Sequence, residues 1–240
     1  MPAKERHNAF TFKHFAVEQD RCAMKVGTDG VLLGAWAQVP ENARILDIGT
    51  GTGLVTLMLA QRYPAANVLA VEIEPEAATQ AAENVKNSPF SERIKVICAD
   101  ARTLTDSEKF DAIVCNPPYF DETLKSPDNA RATARHNDTL TTADLLEIAH
   151  KLLKISGSLQ VILPTASAKR LMQQAKEKAF AVAQTTHIYP TPQSDEKRTL
   201  LHLVNGEVRE MSENSLTIEL ERHIYTDEYR QLTHDFYLKF

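Results

Sequence analysis

The four residues Asn116-Pro117-Pro118-Tyr119 have the chemistry to hold a planar group that carries an exposed amine. The Asn116 side-chain oxygen and the Pro117 carbonyl can accept amine hydrogens, and Tyr119 offers an aromatic face for stacking. They directly follow Phe110–Cys115, a short apolar run with β-branched residues that predicts a buried strand of a parallel sheet. The prolines end that strand, which predicts a rigid loop at its carboxyl end, where open α/β sheets bind ligands. Taken alone, the tetrapeptide is also compatible with an ordinary proline-rich turn.

A glycine-rich turn further upstream indicates a cofactor site. It follows a predicted strand, Arg44–Ile48, and its three glycines, Gly49, Gly51 and Gly53, allow a tight turn and a close approach to a ligand. The pattern differs from the nicotinamide fingerprint, because the third glycine comes one residue early and Asp47 precedes the first. A carboxylate there would crowd a pyrophosphate but suits an ammonium group. The predicted cofactor therefore has an amino acid end and no phosphate, which disfavours a nicotinamide oxidoreductase.

Two further acids end the next two predicted strands. Glu72 lies at the end of the strand predicted over residues 67–73, about 20 residues after the glycine turn, where a carboxylate can accept both ribose hydroxyls of a nucleoside. Glu74 is the second choice for this role, and an acid at the start of the following helix is the structural alternative. Asp100 follows the strand predicted over residues 93–98 and can accept a hydrogen bond from an adenine amine.

Composition bounds the class of protein. The chain has 240 residues, a net charge of -5 and 43% hydrophobic residues, which is typical of one soluble α/β domain and argues against a wholly basic nucleic-acid binder. No run reaches the length of a membrane span, and the start lacks a signal peptide, so we expect a cytoplasmic protein without membrane contact. The three cysteines and eight histidines show no metal-ligand spacing, and the cysteines are interpreted as core or near-core residues. We expect no metal and a monomer.

The predicted domain has an N-terminal arm and helix (1–43), a cofactor-binding and catalytic core (44–206) and a C-terminal extension (207–240). Thr28 or Asp29 is the expected cap of the first helix, and Thr141 with Asp144 is expected to form a capping box. In the extension, residues 216–220 alternate as in an edge strand, and residues 227–240 predict a helix. The arm alternates cations with phenylalanines, which suits either a nucleic-acid strand or packing of the rings on the domain. A basic segment over residues 125–137, which includes Arg135, is expected either to grip RNA backbone or to be a plain surface loop.

The order of strand, glycine turn, two acids and Asn-Pro-Pro-Tyr resembles the S-adenosylmethionine-dependent methyltransferases with a Rossmann-like core that modify exocyclic or amide nitrogen. The resemblance implies the class I α/β fold, with a mostly parallel seven-stranded sheet and helices on both faces. It also implies that the methionine part is held by Asp47, Gly49, Gly51 and Gly53, the ribose by Glu72, and the adenine ring by Asp100 and Ala101.

A closer resemblance is to the tRNA1(Val) (adenine-37-N6)-methyltransferase family. It is carried by residues 12–15, 17–20, 22–30 and 32–36 near the start and, later in the chain, by residues 134–137, 197–201 and 225–239. This resemblance implies S-adenosylmethionine as cofactor and the anticodon loop of a valine tRNA as substrate. Pro118, Tyr119 and Arg135 are then expected to contact the RNA.

The chemistry of the tetrapeptide agrees with that activity. If Asn116 and Pro117 accept the two amine hydrogens, the nitrogen lone pair is aimed at the sulfonium methyl, and catalysis is mostly positioning. Tyr119 would stack on the base after it leaves its neighbours, and no strong general base is needed. The alternatives are methylation of a protein glutamine amide, of another RNA or of DNA, and a non-catalytic RNA-binding module. Only 43 residues precede Arg44, which weakens the glutamine reading because those enzymes carry a helical domain there.

Overall fold

The computed structural model describes residues 9–105, 107–117 and 140–240. Within these ranges the chain forms twelve β-strands and six α-helices. The strands are β1 (Phe10–Thr11), β2 (Ala16–Val17), β3 (Arg44–Ile48), β4 (Asn67–Glu72), β5 (Ile94–Cys98), β6 (Phe110–Cys115), β7 (Leu153–Pro164), β8 (Phe180–Tyr189), β9 (Arg198–Asn205), β10 (Ser212–Thr217), β11 (Glu219–Glu221) and β12 (Ile224–Tyr225). The helices are α1 (Thr28–Trp36), α2 (Leu54–Arg62), α3 (Pro75–Lys86), α4 (Thr142–Leu152), α5 (Thr165–Glu177) and α6 (Asp227–Thr233).

The central sheet has the strand order β10-β8-β9-β7-β6-β3-β4-β5. All pairings are parallel except those of β9, which is antiparallel to β7 and β8. Alternate residues of the inner strands enter two separate cores: Ile45 and Val114 pack with α1 and α2, whereas Leu46 and Ile113 pack with α4 and α5. The predicted class I methyltransferase fold, mostly parallel with helices on both faces, is confirmed.

The sheet has eight strands and not the predicted seven, because residues 212–217 pair in parallel with β8. This polar stretch buries only Leu216, which is sufficient for an edge strand. His187 of β8 links this edge strand to the neighbouring loop: its Nε2 lies 3.0 Å from Glu213 on β10, and its Nδ1 lies 2.9 Å from Glu196. The edge strand predicted over residues 216–220 is therefore displaced toward the N-terminus.

The phenylalanines of the N-terminal arm pack on the domain. Phe12 and Phe15 are buried, and the Phe12 ring stacks on Tyr237 with 5.9 Å between centroids. Lys13 donates from Nζ to backbone carbonyls of residues 234 and 240. Of the two alternatives for this arm, the structure supports packing of the rings on the domain, because Phe12 and Phe15 are buried there. The terminal helix predicted over residues 227–240 ends at Thr233, after which the chain turns back to this aromatic cluster.

Neither Thr28 nor Asp29 caps α1: the N-cap is Gly27, without a side-chain hydrogen bond, and the Asp29 carboxylate accepts from Arg198 Nε at 2.8 Å. Cys98 is exposed and not near the core, whereas Cys22 and Cys115 are buried as predicted. The capping box at the start of α4, formed by Thr141 and Asp144, is confirmed.

Within the described ranges, none of the helices is long and apolar enough to cross a membrane. No group of three or more His, Cys, Asp or Glu side chains in the same part of the chain is arranged to hold a metal ion.

Candidate active site

Those predicted site residues that the structure describes lie at the carboxyl ends of four neighbouring parallel strands. β3 pairs with β4 on one side and with β6 on the other, and β4 pairs with β5. The chain leaves β3 in one direction and returns to the other side at β6, so the strand order reverses between them. Open α/β sheets bind ligands at this reversal. Asp47 pairs in register with Val114, two residues before Asn116, which brings the cofactor motif and the predicted catalytic asparagine to one edge.

The glycine-rich turn between β3 and α2 depends on positive φ angles. Gly49, Gly51 and Gly53 have φ of 68°, 56° and 84°, a region that residues with a Cβ avoid. The amides of Gly49 and Thr50 donate to the Val71 carbonyl at 2.8 and 3.1 Å, which fixes the turn on β4. A Cβ built on Gly49 or Gly51 would meet no atom within 4 Å. These two glycines therefore face open space that a ligand can fill.

Asp47 is the most buried acid of the site, with 1% of its surface exposed. Its Oδ2 accepts from the hydroxyls of Thr50 at 2.7 Å and Thr56 at 2.6 Å. Burial raises the pKa of Asp47 to about 6; the threonine hydroxyls oppose this increase, and the negative charge of Glu72 adds to it. The apoprotein thus holds a carboxylate that a cation would stabilise.

Glu72 joins the glycine-rich turn to the loop after β4. Its Oε2 accepts from the Gly51 amide at 2.8 Å, and its Oε1 accepts from the amides of Ile73 and Glu74 at 2.9 and 3.1 Å. Both oxygens are thereby oriented by backbone donors. Glu74, the second choice, is the N-cap residue of α3. The sequence did not single out the neighbouring Ile73 as a site residue. Its large apolar side chain is 44% exposed beside Glu72 and suits the face of a planar ring.

Asp100 is held by its own neighbour. Its carboxylate accepts from the Arg102 backbone amide at 2.9 Å and pairs with the Arg102 guanidinium at 2.7 Å. The Arg102 side chain, opposed by burial, lowers the pKa of Asp100. An adenine amine at this carboxylate would share it with Arg102. Ala101 is buried against the apolar core at the start of a short 3-10 turn.

The described part of the tetrapeptide is Asn116 and Pro117. Asn116 is partly buried and Pro117 is buried, directly after β6. A Cβ built on Gly30 of α1 would lie 3.7 Å from Asn116 Nδ2 and 3.0 Å from Leu54 Cδ2. The first turn of α1 therefore lies near the asparagine, a proximity that the sequence did not reveal. Pro118, Tyr119, Arg135 and the basic segment over residues 125–137 lie outside the described residues.

Comparisons with known proteins agree with this geometry. The fold and the glycine turn define a Rossmann-like methyltransferase, and the family model described as "Methyltransferase small domain" matches residues 25–189. In fold, the chain is similar to the solved structure of a predicted O-methyltransferase from Agrobacterium tumefaciens, with a TM-score of 0.68 and 24% identity over 87% of this chain and 96% of that one.

Two proteins named tRNA1(Val) (adenine(37)-N6)-methyltransferase match nearly the whole chain. The one from Bacteroides fragilis is 48% identical over 96% of this chain and 98% of its own. The one from Trichodesmium erythraeum is 44% identical over 97% and 99%. This chain belongs to the tRNA1(Val) (adenine(37)-N6)-methyltransferase family.

Proposed function

We propose that this protein transfers the methyl group of S-adenosylmethionine to the exocyclic N6 amine of an adenine in tRNA. Its relatives' names point to adenine 37 of a valine tRNA. The observation that carries the proposal is the placement of Asp47 and Asn116 at the carboxyl ends of adjacent parallel strands, at the edge where the glycine turn is open. We further propose that all 240 residues form one domain, which acts as a cytoplasmic monomer on the anticodon loop.

The described residues fit the cofactor at its amino acid end. Asp47 is a buried carboxylate whose hydrogen-bond partners are hydroxyls and whose charged neighbour, Glu72, is also negative. An ammonium group would offset that unfavourable burial. Gly49 and Gly51 leave space for the rest of this end, because neither carries a Cβ. A pyrophosphate would meet two carboxylates, which disfavours a nicotinamide cofactor.

The nucleoside end is assigned to the loops after β4 and β5. Glu72 would accept from the ribose hydroxyls, since its two oxygens are already oriented by backbone amides. Ile73 would cover one face of the adenine ring, and Asp100 with Ala101 would lie at its edge. These roles are proposals, supported by position at the strand ends and by the order of the motifs.

Asn116 and Pro117 are proposed to position the target amine. The bound cofactor supplies a methyl group on a positively charged sulfur. The asparagine side-chain oxygen and the proline carbonyl accept the two amine hydrogens, which turns the nitrogen lone pair out of conjugation with the ring. The methylated amine is acidic and releases its proton afterwards, so these residues orient the nucleophile and no base removes a proton first. Tyr119 and Pro118 would pack on the base, and Arg135 would bind backbone phosphate.

The alternative substrates lose support. Relatives over nearly the full length carry the name of a tRNA adenine methyltransferase, which favours RNA over a protein glutamine amide or DNA. The intact Asn116 and the buried Asp47 argue against a module that only binds RNA. A nicotinamide oxidoreductase is disfavoured by the carboxylates of Asp47 and Glu72, which a pyrophosphate would meet.

The test is Asn116→Ala, compared with Asn87→Ala, the same change at the exposed C-cap of α3. Asn116→Ala is expected to lower kcat on tRNA about a hundredfold or more, because a donor-acceptor contact to the reacting group is lost. Its Kd for S-adenosylhomocysteine should stay within about twofold of the wild-type value. Asn87→Ala should change neither quantity. Equal losses of turnover and cofactor affinity in Asn116→Ala would remove the asparagine from its proposed role.

A further inference from the structure

Two polar side chains are buried on α3, a helix whose inner face otherwise consists mostly of small apolar residues. Gln80 and Asn84 are 2% and 1% exposed, and they lie four residues apart on the same face. A buried amide is costly unless hydrogen bonds satisfy it. The partners of these two amides therefore show what the helix holds in place.

Asn84 is satisfied by two segments that are far apart in the sequence. Its Nδ2 donates to the Thr52 carbonyl in the glycine-rich turn at 2.8 Å. The same Nδ2 donates to the Glu18 carbonyl at 2.8 Å, and Oδ1 accepts from the Glu18 amide at 2.9 Å. The side chain thus binds both backbone groups of Glu18, as a neighbouring strand would, while it also holds the turn. One buried amide ties the N-terminal region to the cofactor motif.

We call residues 18–27 the N-terminal strap. The strap is also held by Gln80, whose Oε1 accepts from the Arg21 amide at 3.4 Å. Within the strap, the Val26 amide donates to Gln19 Oε1 at 2.8 Å. The strap then ends at the N-cap of α1.

The charge of Glu72, the acid proposed to bind the ribose, also acts on the strap. Cys22 of the strap is buried, and burial together with the carboxylates of Glu72 and Asp20 raises the pKa of its thiol to about 11. The strap is therefore tied to the glycine turn through Asn84, and its buried thiol lies within the electrostatic influence of Glu72.

We propose that Asn84 is a positioning residue for cofactor binding, which keeps the N-terminal strap fixed against the glycine-rich turn so that the strap closes one side of the cofactor site. The inference rests on the proposed function, because it concerns the same site. It adds a segment outside the four strand ends to the binding machinery. Bound cofactor restrains the strap, and the strap slows cofactor release.

Limited proteolysis of the wild-type protein tests this directly. Arg21 and Lys25 are exposed trypsin sites within the strap, and Arg209 is an exposed site in the loop between β9 and β10. Saturating S-adenosylhomocysteine is expected to slow cleavage after Arg21 and Lys25 about tenfold, because local opening of the strap is suppressed. Cleavage after Arg209 should be unchanged and is the internal control. Unchanged cleavage of the strap despite bound S-adenosylhomocysteine would overturn the proposal.

The matched variants are Asn84→Ala and Lys86→Ala, the latter an exposed position on the same helix. Asn84→Ala should raise the Kd for S-adenosylhomocysteine about tenfold and abolish protection of the strap, while kcat at saturating cofactor stays within about twofold. Lys86→Ala should behave as wild type. An unchanged Kd in folded Asn84→Ala would overturn the proposal, and if that variant does not fold, the wild-type digestion decides. Wild-type protein that binds no S-adenosylhomocysteine would overturn the proposed function as well, whereas binding without protection would overturn only the role of the strap.

Discussion

Replacing Asp47 by asparagine is expected to make the apoprotein more stable and the cofactor complex weaker. The folded protein raises the pKa of this carboxyl from an ordinary 3.8 to about 6. At about 1.4 kcal/mol per pKa unit, keeping the group ionised at neutral pH costs the folded state about 3 kcal/mol. Asparagine removes the charge and retains an amide oxygen that can accept from Thr50 and Thr56.

The direction of this pKa shift determines how the stability of the protein changes with pH. Because the pKa is raised on folding, the folded state binds the proton more tightly than the unfolded state. The stability that this proton contributes is fully present below an ordinary carboxyl pKa and is lost as the pH rises through about 6. We therefore expect Asp47→Asn and wild type to be similar near pH 4, and the variant to be more stable by up to about 3 kcal/mol at pH 7.5.

The assay is urea denaturation of apoprotein across pH 4 to 8, together with calorimetric titration of S-adenosylhomocysteine. The variant should bind S-adenosylhomocysteine at least about tenfold more weakly, because a neutral amide cannot form an ion pair with an ammonium group. Asp111→Asn is the control. Burial opposes the charge of Asp111, but hydrogen bonds from the Arg44 amide and Lys154 outweigh it and lower its pKa, so this variant should lose stability and keep its cofactor affinity. A destabilised Asp47→Asn with unchanged affinity would refute the assigned role.

Three further substitutions have defined outcomes. Gly30→Ala should lower kcat severalfold with little change in the Kd of the cofactor, because the added Cβ would press on Leu54 and approach Asn116. A larger effect on the Kd, measured by calorimetry, than on the steady-state kcat would contradict this. Glu72→Gln should raise the cofactor Kd at least about tenfold, because its new NH2 group would face a backbone N–H donor; calorimetry showing wild-type affinity would exclude the ribose contact. For His187, burial opposes protonation but its two glutamate partners outweigh it and raise the pKa, so the stability they contribute is present below 6.5 and lost as the pH rises through the folded pKa. His187→Gln should remove that component of the pH profile in urea denaturation, and an unaltered profile would rule it out.

The elements that position the site were predictable because their signals are local. Arg44–Ile48 and Phe110–Cys115 are apolar runs that are followed closely by glycine or proline, and both strands end where predicted. The glycine turn and the first-turn proline of α3 are also specified by adjacent residues. The polar edge strand at residues 212–217 was not predictable in the same way, since it buries one apolar side chain and depends on pairing with β8.

The contacts that tune the site come from residues distant in sequence. Asn84 and Glu18 are 66 positions apart, and a helix with a small-residue face gave no sign that a buried amide would serve as a bridge. The raised pKa of Asp47 depends on complete burial, which the sequence of β3 alone does not show. The pairing of Asp29 with Arg198, 169 positions away, likewise replaced an expected helix cap by a tertiary contact. Local patterns thus predict elements, whereas the charges and orientations of site residues depend on tertiary packing.

The reaction proposed for this protein is the transfer of a methyl group to N6 of adenine 37 in a valine tRNA. The most direct measurement incubates the pure protein with methyl-labelled S-adenosylmethionine and an unmodified valine tRNA transcript, then digests the RNA to nucleosides and maps the label. We expect label only as N6-methyladenosine, and none in a transcript with guanine in place of that adenine. Label in another nucleoside, in protein, or in neither despite cofactor binding would contradict it.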